Sequence, residues 1–112
     1  MACVRVYAEL FRPQNVYTPK TATPTSKLPV LLFIHGGSFV TGSGNDYDCT
    51  ALASKHNAVY VTVNYRLGSF GWLQLEGMNA NIGLKDQREA IKFTKAEIAA
   101  FGGDPDRLMI CK

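Results

Sequence analysis

The chain has 112 residues, 46% of them hydrophobic and 19% charged, which excludes a disordered chain and predicts one globular domain at most. The net charge is only +3, and the basic residues form neither a run nor a helix face, so no nucleic-acid partner is predicted. No apolar run reaches the roughly 18 residues of a membrane span, so no spanning segment is expected.

The N-terminal stretch is too polar for the apolar centre of a signal peptide, because Arg5, Glu9 and Arg12 interrupt it. No N-x-[S/T] glycosylation acceptor occurs in the sequence. As written, the chain shows no route out of the cytosol, and its compartment stays an open question.

Cysteines and histidines are few and scattered. Cys3, Cys49 and Cys111 lie far apart and form no C-x-x-C pair, and the only histidines are His35 and His56. We predict neither a metal site nor a cofactor from this set. Two interpretations stay open for the thiols, which are buried free cysteines or one disulfide between two of them.

The first element in chain order is a loop, predicted over residues 13–29 because prolines punctuate it together with Thr and Ser. Three short apolar runs then predict strands that are buried on both faces. These runs cover residues 30–34, 58–63 and 108–111.

Two helical patterns separate the three strands. The shorter covers 47–56, with Asp46 or Asp48 as its N-cap. The longer covers 82–101 and is ended by the glycine pair 102–103. Its apolar repeat at seven-residue steps consists of Leu84, Ile91 and Ile98.

The order strand, helix, strand, helix, strand predicts an α/β fold with about three parallel strands and two helices. Such strands need helices on both faces and neighbours on both edges, so the sheet is expected to be incomplete. The connection over residues 64–81 is longer than a helix–strand link requires, and long connections are usually functional or family-specific.

The clearest chemical signal is His35-Gly36-Gly37, which directly follows the first apolar strand. Glycines at a strand end let the chain turn sharply and bring bare backbone N–H groups close to a ligand. Two N–H groups aimed at one point can hold the oxyanion of an acyl-transfer intermediate, as such loops do in lipases and esterases. The alternative interpretation is a tight turn without a chemical role.

A dinucleotide site is not supported by the sequence. Gly42-Ser43-Gly44 provides two of the three glycines of the fingerprint and lies well past the strand end. Asn64, and not an acidic residue, follows the second strand. The phosphate-binding motif G-x-x-x-x-G-K-[S/T] does not occur.

Five sequence blocks resemble, in the right order, the type B carboxylesterase and cholinesterase family, which has the α/β-hydrolase fold. The blocks are Asn-Val-Tyr-Thr-Pro at 15–19, the loop region 28–44, and the segments 61–71, 81–87 and 99–107. The resemblance implies a partial carboxylesterase type B domain over residues 15–112, preceded by a non-matching segment over 1–14.

In that family the two glycines of His-Gly-Gly supply oxyanion donors, so the resemblance assigns this role to Gly36 and Gly37. His35 is not the catalytic base of the family and is expected to shape the loop. The expected scaffold residues are Asn64, Arg66, Asp86 and Gln87. The implied partner of a full-length form is a small-molecule carboxylic ester, with no cofactor. Family members are often secreted or located in the endoplasmic reticulum lumen, and the oligomeric state stays open.

The family's nucleophile lies in a Gly-x-Ser-x-Gly elbow right after the strand that corresponds to 108–111. The first glycine of that elbow would fall on Lys112, and no serine of the chain has glycines at both −2 and +2. The acid and the base of the family lie further downstream. We therefore expect a truncated piece of a longer esterase, inactive and poorly soluble by itself.

The alternative hypothesis is a non-catalytic relative, since members of the superfamily that lost the nucleophile serve as adhesion or scaffold domains. The residue at the centre of the elbow in a longer form separates the two hypotheses. Serine there favours the enzyme, and any other residue favours the binding protein.

Overall fold

The computed structural model describes residues 2–8, 12–77 and 80–112. These parts contain five β-strands, three α-helices and two short 3₁₀ helices, the latter at Gly44–Asp46 and Ile98–Phe101. The strands and α-helices are, in chain order, β1 (Ala2–Ala8), β2 (Arg12–Thr18), β3 (Leu28–Ile34), α1 (Thr50–His56), β4 (Val59–Val63), α2 (Gly68–Trp72), α3 (Ile82–Glu97) and β5 (Gly103–Cys111).

All five strands form one mixed sheet in the order β1-β2-β4-β3-β5. Strand β3 lies between β4 and β5 and runs parallel to both. Strand β2 runs antiparallel to β4 and to β1. The predicted α/β fold with three parallel strands is confirmed, and the antiparallel β1–β2 pair extends it on the side of β4.

Different helices cover the two faces of the sheet. On one face α3 packs against the fully buried Leu32 and Val61, with Ala90 of the helix in the same apolar cluster. On the other face α1 places Ala53 in a smaller cluster, against which Tyr60 packs. This cover on both sides explains why the parallel strands are continuous apolar runs in the sequence.

The predicted loop over 13–29 is wrong for residues 13–18, which belong to β2. The prolines with Thr and Ser favoured a loop, yet Gln14 in this stretch is buried and its polar atoms are paired. Its amide nitrogen donates to the carbonyl of Ala90 at 3.2 Å, and its amide oxygen accepts from the hydroxyl of Thr94 at 3.2 Å. The two bonds tie β2 to α3.

The predicted helix over 47–56 is shorter in the structure, where α1 begins at Thr50. The predicted N-caps Asp46 and Asp48 are wrong, because the N-cap residue is Cys49, which makes no side-chain cap hydrogen bond. Asp48 lies one position earlier, and its Oδ1 accepts the hydroxyl of Thr50 and also the N–H of Thr50, the latter at 2.9 Å. These hydrogen bonds from Thr50 stabilise the charged form and hold the pKa of the Asp48 carboxyl below its usual value.

The predicted helix over 82–101 is confirmed as α3 and the 3₁₀ helix after it, and it ends at Gly102 with φ +83°. The seven-residue repeat marks the buried face only in part, since Ile98 lies in the core and Ile91 packs against it, but Leu84 is 47% exposed. The first turn of α3 instead packs through Gly83 against the 64–72 segment, which lies beyond the apolar strands.

Strand β5 is exposed on the edge of the sheet. It begins at Gly103, before the predicted start at residue 108. Met109 is 65% and Ile110 is 50% exposed, although both lie in an apolar run. Across the described ranges, no helix is both long and apolar enough to cross a bilayer.

Candidate functional site

The candidate site lies where the parallel strands β3, β4 and β5 end. Each strand leads there into a connection or to the end of the chain, namely residues 35–49, residues 64–81 and Lys112. The ammonium group of Lys112 lies 4.5 Å from the centre of the Phe39 ring. The three strand ends therefore meet, as expected for the carboxyl edge of a parallel sheet, which is where α/β folds bind their ligands.

Gly37 is a position in the loop that only glycine fits. Its φ is +123°, and a Cβ on it would lie 1.9 Å from the carbonyl oxygen of Thr41. The carbonyl of Gly37 accepts two backbone N–H groups, from Val40 at 3.0 Å and from Thr41 at 3.1 Å. Gly36 differs, since a Cβ on it would meet nothing within 4 Å. The chain thus turns on Gly37 and leaves open space beside Gly36.

The two residues after Gly37 are also in the left-handed region, with φ +52° at Ser38 and +63° at Phe39. This conformation costs a non-glycine residue about 1–2 kcal/mol, and a bulky side chain such as Phe adopts it rarely. Consecutive residues of unusual φ turn successive N–H groups toward one side of the backbone, which is a common way to build an anion site.

His35 is 1% exposed and is part of the frame that supports the loop. Its Nδ1 lies 2.8 Å from the carbonyl oxygen of Gly36, so Nδ1 carries the proton and donates. Its ring stacks on Tyr65 with a centroid distance of 4.6 Å. A Cβ on Gly42 would lie 2.6 Å from Nδ1, so the loop closes tightly over the imidazole. The prediction that His35 shapes the loop agrees with this geometry.

Tyr65, two residues after the end of β4, supports the same point. Its hydroxyl donates to the carbonyl oxygen of His35 at 2.7 Å in a buried hydrogen bond. Burial raises the pKa of the Tyr65 hydroxyl, because the phenolate would lose its hydration. The carbonyls of His35 and Gly36, which belong to the peptide units before and after Gly36, are thereby both hydrogen-bonded.

Arg66 and Asp86 join the 64–72 segment to α3. The guanidinium of Arg66 binds the carboxylate of Asp86 in a bidentate pair, with both N···O distances at 2.7 Å. The backbone N–H of Arg66 also donates to Oδ2 of Asp86 at 3.1 Å. Asp86 is fully buried, and its hydrogen bonds raise the pKa of Arg66. Both residues have the scaffold role that the sequence suggested.

Asn64 has a similar role at the end of β4, where its Oδ1 accepts the N–H of Gly44 at 2.8 Å and the Ser43 hydroxyl at 3.2 Å. It anchors the far end of the loop that contains Gly37. Gln87 is buried on α3, and its side-chain nitrogen has no hydrogen-bond partner among the described residues. Its scaffold role stays a prediction.

A cavity of about 490 Å³ lies beside the loop, between it and α2. Its lining residues are Ser38, Phe39, Val40, Gly68, Ser69, Trp72 and Leu73. Ser38 therefore faces this space, while the predicted donors Gly36 and Gly37 lie directly before it in the chain. The sequence interpretation missed Ser38 and Trp72, because a serine and a tryptophan in a connection carry no local signal of a site.

No nucleophile and base are paired in the described part of the chain, where no serine hydroxyl is hydrogen-bonded to an imidazole. His35 uses Nδ1 on a backbone carbonyl, and His56 lies in the last turn of α1. What the structure assembles is a loop of backbone N–H groups on a rigid frame, which can stabilise negative charge on an oxygen atom.

The cysteines are only partly as expected. Cys49 is a buried free thiol, and burial followed by the nearby charge of Asp48 raises its pKa. Cys111 is a free thiol as well, but it is exposed on β5, so the expectation of burial is wrong there. Cys3 lies in β1, and its side chain is outside the described set.

Comparisons with known proteins agree with this architecture. The model of the carboxylesterase family matches residues 14–111. The chain is 45% identical over 102 residues to the para-nitrobenzyl esterase of Bacillus subtilis (strain 168), which covers 86% of this chain and 20% of that protein. It is 46% identical over 88 residues to neuroligin-2 of Mus musculus, which covers 77% and 10%. The crystal structure of Aspergillus niger EstA matches with a TM-score of 0.84 and 42% identity, over 92% of this chain and 21% of that one.

The chain belongs to the carboxylesterase family, and its sheet and helices are part of the α/β-hydrolase fold of the related esterases. It spans about a fifth of the length of the two esterases. Identity in this region does not separate proteins named as esterases from proteins named as neuroligins.

Proposed function

We propose that this chain supplies the oxyanion-binding part of the active site of a serine carboxylesterase. The observation that carries the proposal is the turn at Gly37, where φ +123° and the contact with Thr41 permit only glycine. The turn follows directly on a buried parallel strand, at the sheet edge where this fold binds ligands. A longer protein that contains this chain would supply the nucleophilic serine, the histidine and the acid.

In the proposed reaction, a serine hydroxyl attacks the carbonyl carbon of an ester while histidine accepts the hydroxyl proton. The new C–O bond converts the carbonyl oxygen into an oxyanion, which the N–H groups of Gly36 and Gly37 stabilise. The C–O bond to the alcohol then breaks, histidine protonates the leaving alcohol, and water hydrolyses the acyl-serine. Each oxyanion donor contributes about 3–4 kcal/mol to lowering the barrier.

The loop geometry favours backbone donors over side-chain donors. The carbonyl of Gly37 accepts the N–H groups of Val40 and Thr41, which fixes the peptide unit that joins Gly37 to Ser38. The open space beside Gly36 leaves room for a tetrahedral carbon close to the backbone. Donors that are fixed in advance need no reorganisation when the charge develops, which is the source of their catalytic effect.

The test compares two proteins on p-nitrophenyl acetate, the 112-residue chain and the longest in-frame product of its gene. We expect hydrolysis by the longer product only, with complete loss after treatment with a serine-directed organophosphate. An inactive longer product with a residue other than serine at the elbow centre would contradict the proposal. Activity of the 112-residue chain that the organophosphate abolishes would contradict the assignment of the nucleophile to another part of the protein.

A further inference from the structure

We infer that Trp72 is a positioning residue for the oxyanion loop, acting through the ring of Phe39. The inference rests on the proposed function and assigns a role to α2, which contributes no residue to the oxyanion donors themselves. It starts from the left-handed conformation of Ser38 and Phe39. Unfavourable backbone conformations of this kind persist only where the surroundings hold them.

Contacts on the outer side of the loop come from α2. The carbonyl oxygen of Phe39 accepts the N–H of Gly68, the first residue of α2, at 2.8 Å. The ring of Phe39 lies against the indole of Trp72, with a centroid distance of 4.3 Å and an interplanar angle of 49°. One backbone bond and one ring contact therefore connect the residue of unusual φ to the two ends of the same short helix.

The indole of Trp72 can hold the ring of Phe39 in place because the indole also packs against α3. A Cβ on Gly83 of α3 would lie 2.9 Å from Cζ2 of Trp72, so the indole packs directly on the α3 backbone. Cβ atoms on Gly71 and Gly83 would lie 2.1 Å and 2.7 Å from the carbonyl oxygen of Arg66. The two helices thus approach as closely as glycine permits, and Trp72 is held between α3 and the ring of Phe39.

The indole N–H takes no part in this contact. Nε1 of Trp72 is buried and has no hydrogen-bond partner among the described residues. The role of Trp72 therefore depends on the size and the flat shape of its ring, which phenylalanine largely reproduces. Phe70 on the same helix is a natural control, because it is also aromatic but is 85% exposed and does not line the cavity beside the loop.

The experiment measures kcat and KM per titrated active site in the longest in-frame product, for Trp72→Ala, Trp72→Phe and Phe70→Ala. For Trp72→Ala we expect kcat to fall about 10- to 100-fold, because a displacement of about 1 Å in a catalytic group has this effect. KM should stay within about twofold, since the contact acts on the transition state. Trp72→Phe should recover most of kcat, and Phe70→Ala should match the wild type.

A merely structural role would reduce the number of titratable sites and leave kcat per site unchanged, and that result would overturn the inference. Equal activity of all variants would overturn it as well. If Trp72→Ala yields no soluble protein, Trp72→Leu keeps an apolar side chain on Gly83 and is judged by the same criteria.

Hydrogen exchange separates this inference from the proposed function. In the same variants we measure exchange of the Val40 and Thr41 amides, which are bonded to the carbonyl of Gly37. Faster exchange in Trp72→Ala, but not in Phe70→Ala, supports the positioning of the loop even if the longer product is inactive. Unchanged exchange in Trp72→Ala contradicts it, whether or not the longer product hydrolyses esters.

Discussion

The loop after β3 (residues 35–44) and strand β5 meet at one edge of the sheet, yet they are stabilised in opposite ways. The loop has an unfavourable backbone at Ser38 and Phe39, but His35, Tyr65 and α2 hold it by hydrogen bonds and ring contacts. Strand β5 has no residue of positive φ, but its pairing with β3 is irregular between Gly103 and Leu108, and Met109 and Ile110 remain exposed. The conformation of the loop therefore depends on contacts within these 112 residues, whereas the apolar surface of β5 lacks such contacts.

This difference separates the parts of the proposed site that can be tested in the chain itself from those that need a longer protein. A frame that fixes the loop should keep its geometry in isolation. An apolar edge strand exposes both side chains and unpaired backbone groups, and such edges promote association with other chains. Substitutions in the frame of the loop and in β5 should therefore have different effects.

Among variants of the loop and its frame, the largest effect is expected from Gly37→Ala, which places a Cβ in contact with the Thr41 carbonyl at a φ that alanine avoids. We expect a loss of about 2–4 kcal/mol in the free energy of unfolding of the 112-residue chain. Urea unfolding followed by the fluorescence of Trp72, the single tryptophan, measures it at low protein concentration. The matched variant Gly36→Ala should cost less than about 0.5 kcal/mol, because its Cβ meets nothing. Equal costs for the two variants would show that the loop is not fixed as described.

Removal of the buried carboxylate by Asp86→Ala should have the next largest effect. It breaks the hydrogen bonds to Arg66 that hold the 64–72 segment on α3. We expect a cost of about 2–3 kcal/mol, which is kept moderate because the 43% exposed side chain of Arg66 regains hydration. The comparison variant is Glu89→Ala on the outer face of α3, whose solvent-exposed ion pairs should contribute nothing measurable. A neutral Asp86→Ala would contradict the scaffold role.

We expect β5 to tolerate a charged side chain without loss of stability, whereas the frame of the loop would not. Met109→Lys replaces a side chain that is 65% exposed, so the free energy of unfolding should change by less than about 0.5 kcal/mol. The concentration at which the 112-residue chain begins to aggregate, measured by light scattering, should rise. Leu32→Ala, in the fully buried centre of β3, should cost about 2–5 kcal/mol. A large destabilisation by Met109→Lys would mean that β5 is packed.

Thiol labelling is the mildest test, since it leaves the fold unchanged. Cys111 on β5 is exposed, whereas Cys49 is buried with a raised pKa, so its reactive thiolate is scarce at neutral pH. Iodoacetamide should therefore modify Cys111 before Cys49 in the 112-residue chain, and peptide mass spectrometry identifies the site. In Cys111→Ser the modification of Cys49 should remain slow. Faster labelling of Cys49 would reverse the assigned exposures.

The sequence predicts the parallel core because its physical signal is local. Continuous apolar runs at β3, β4 and β5 require cover on both faces, and Gly102 ends the helical stretch that begins with α3. Strand β2 gave no such signal, since its buried polar residues resemble a loop. Asn15 is buried because Thr62 and Asn45 accept its side-chain N–H groups at 3.0 Å and 2.8 Å. Hydrogen-bond partners that are distant in the chain cannot be recognised from the sequence of one segment.

The site shows the same limit. The glycines of the loop are visible as a motif, and the frame residue His35 lies beside them. Trp72 could not be found from the sequence, because its contact with Phe39 depends on how α2 docks on α3. The exposure of Cys111 could not be predicted either. Its apolar run resembles those of the buried strands, and β5 differs from them only by its place at the sheet edge.

The most direct measurement for the central claim is a crystal structure of the longest in-frame product after reaction with a phosphonate ester. The phosphonyl oxygen then stands in for the oxyanion of the tetrahedral intermediate. We expect this oxygen to lie about 2.7–3.1 Å from the backbone nitrogens of Gly36 and Gly37. Ser38 and Phe39 should remain in the left-handed region. A phosphonyl oxygen that points away from this loop, toward solvent or other donors, would contradict this expectation.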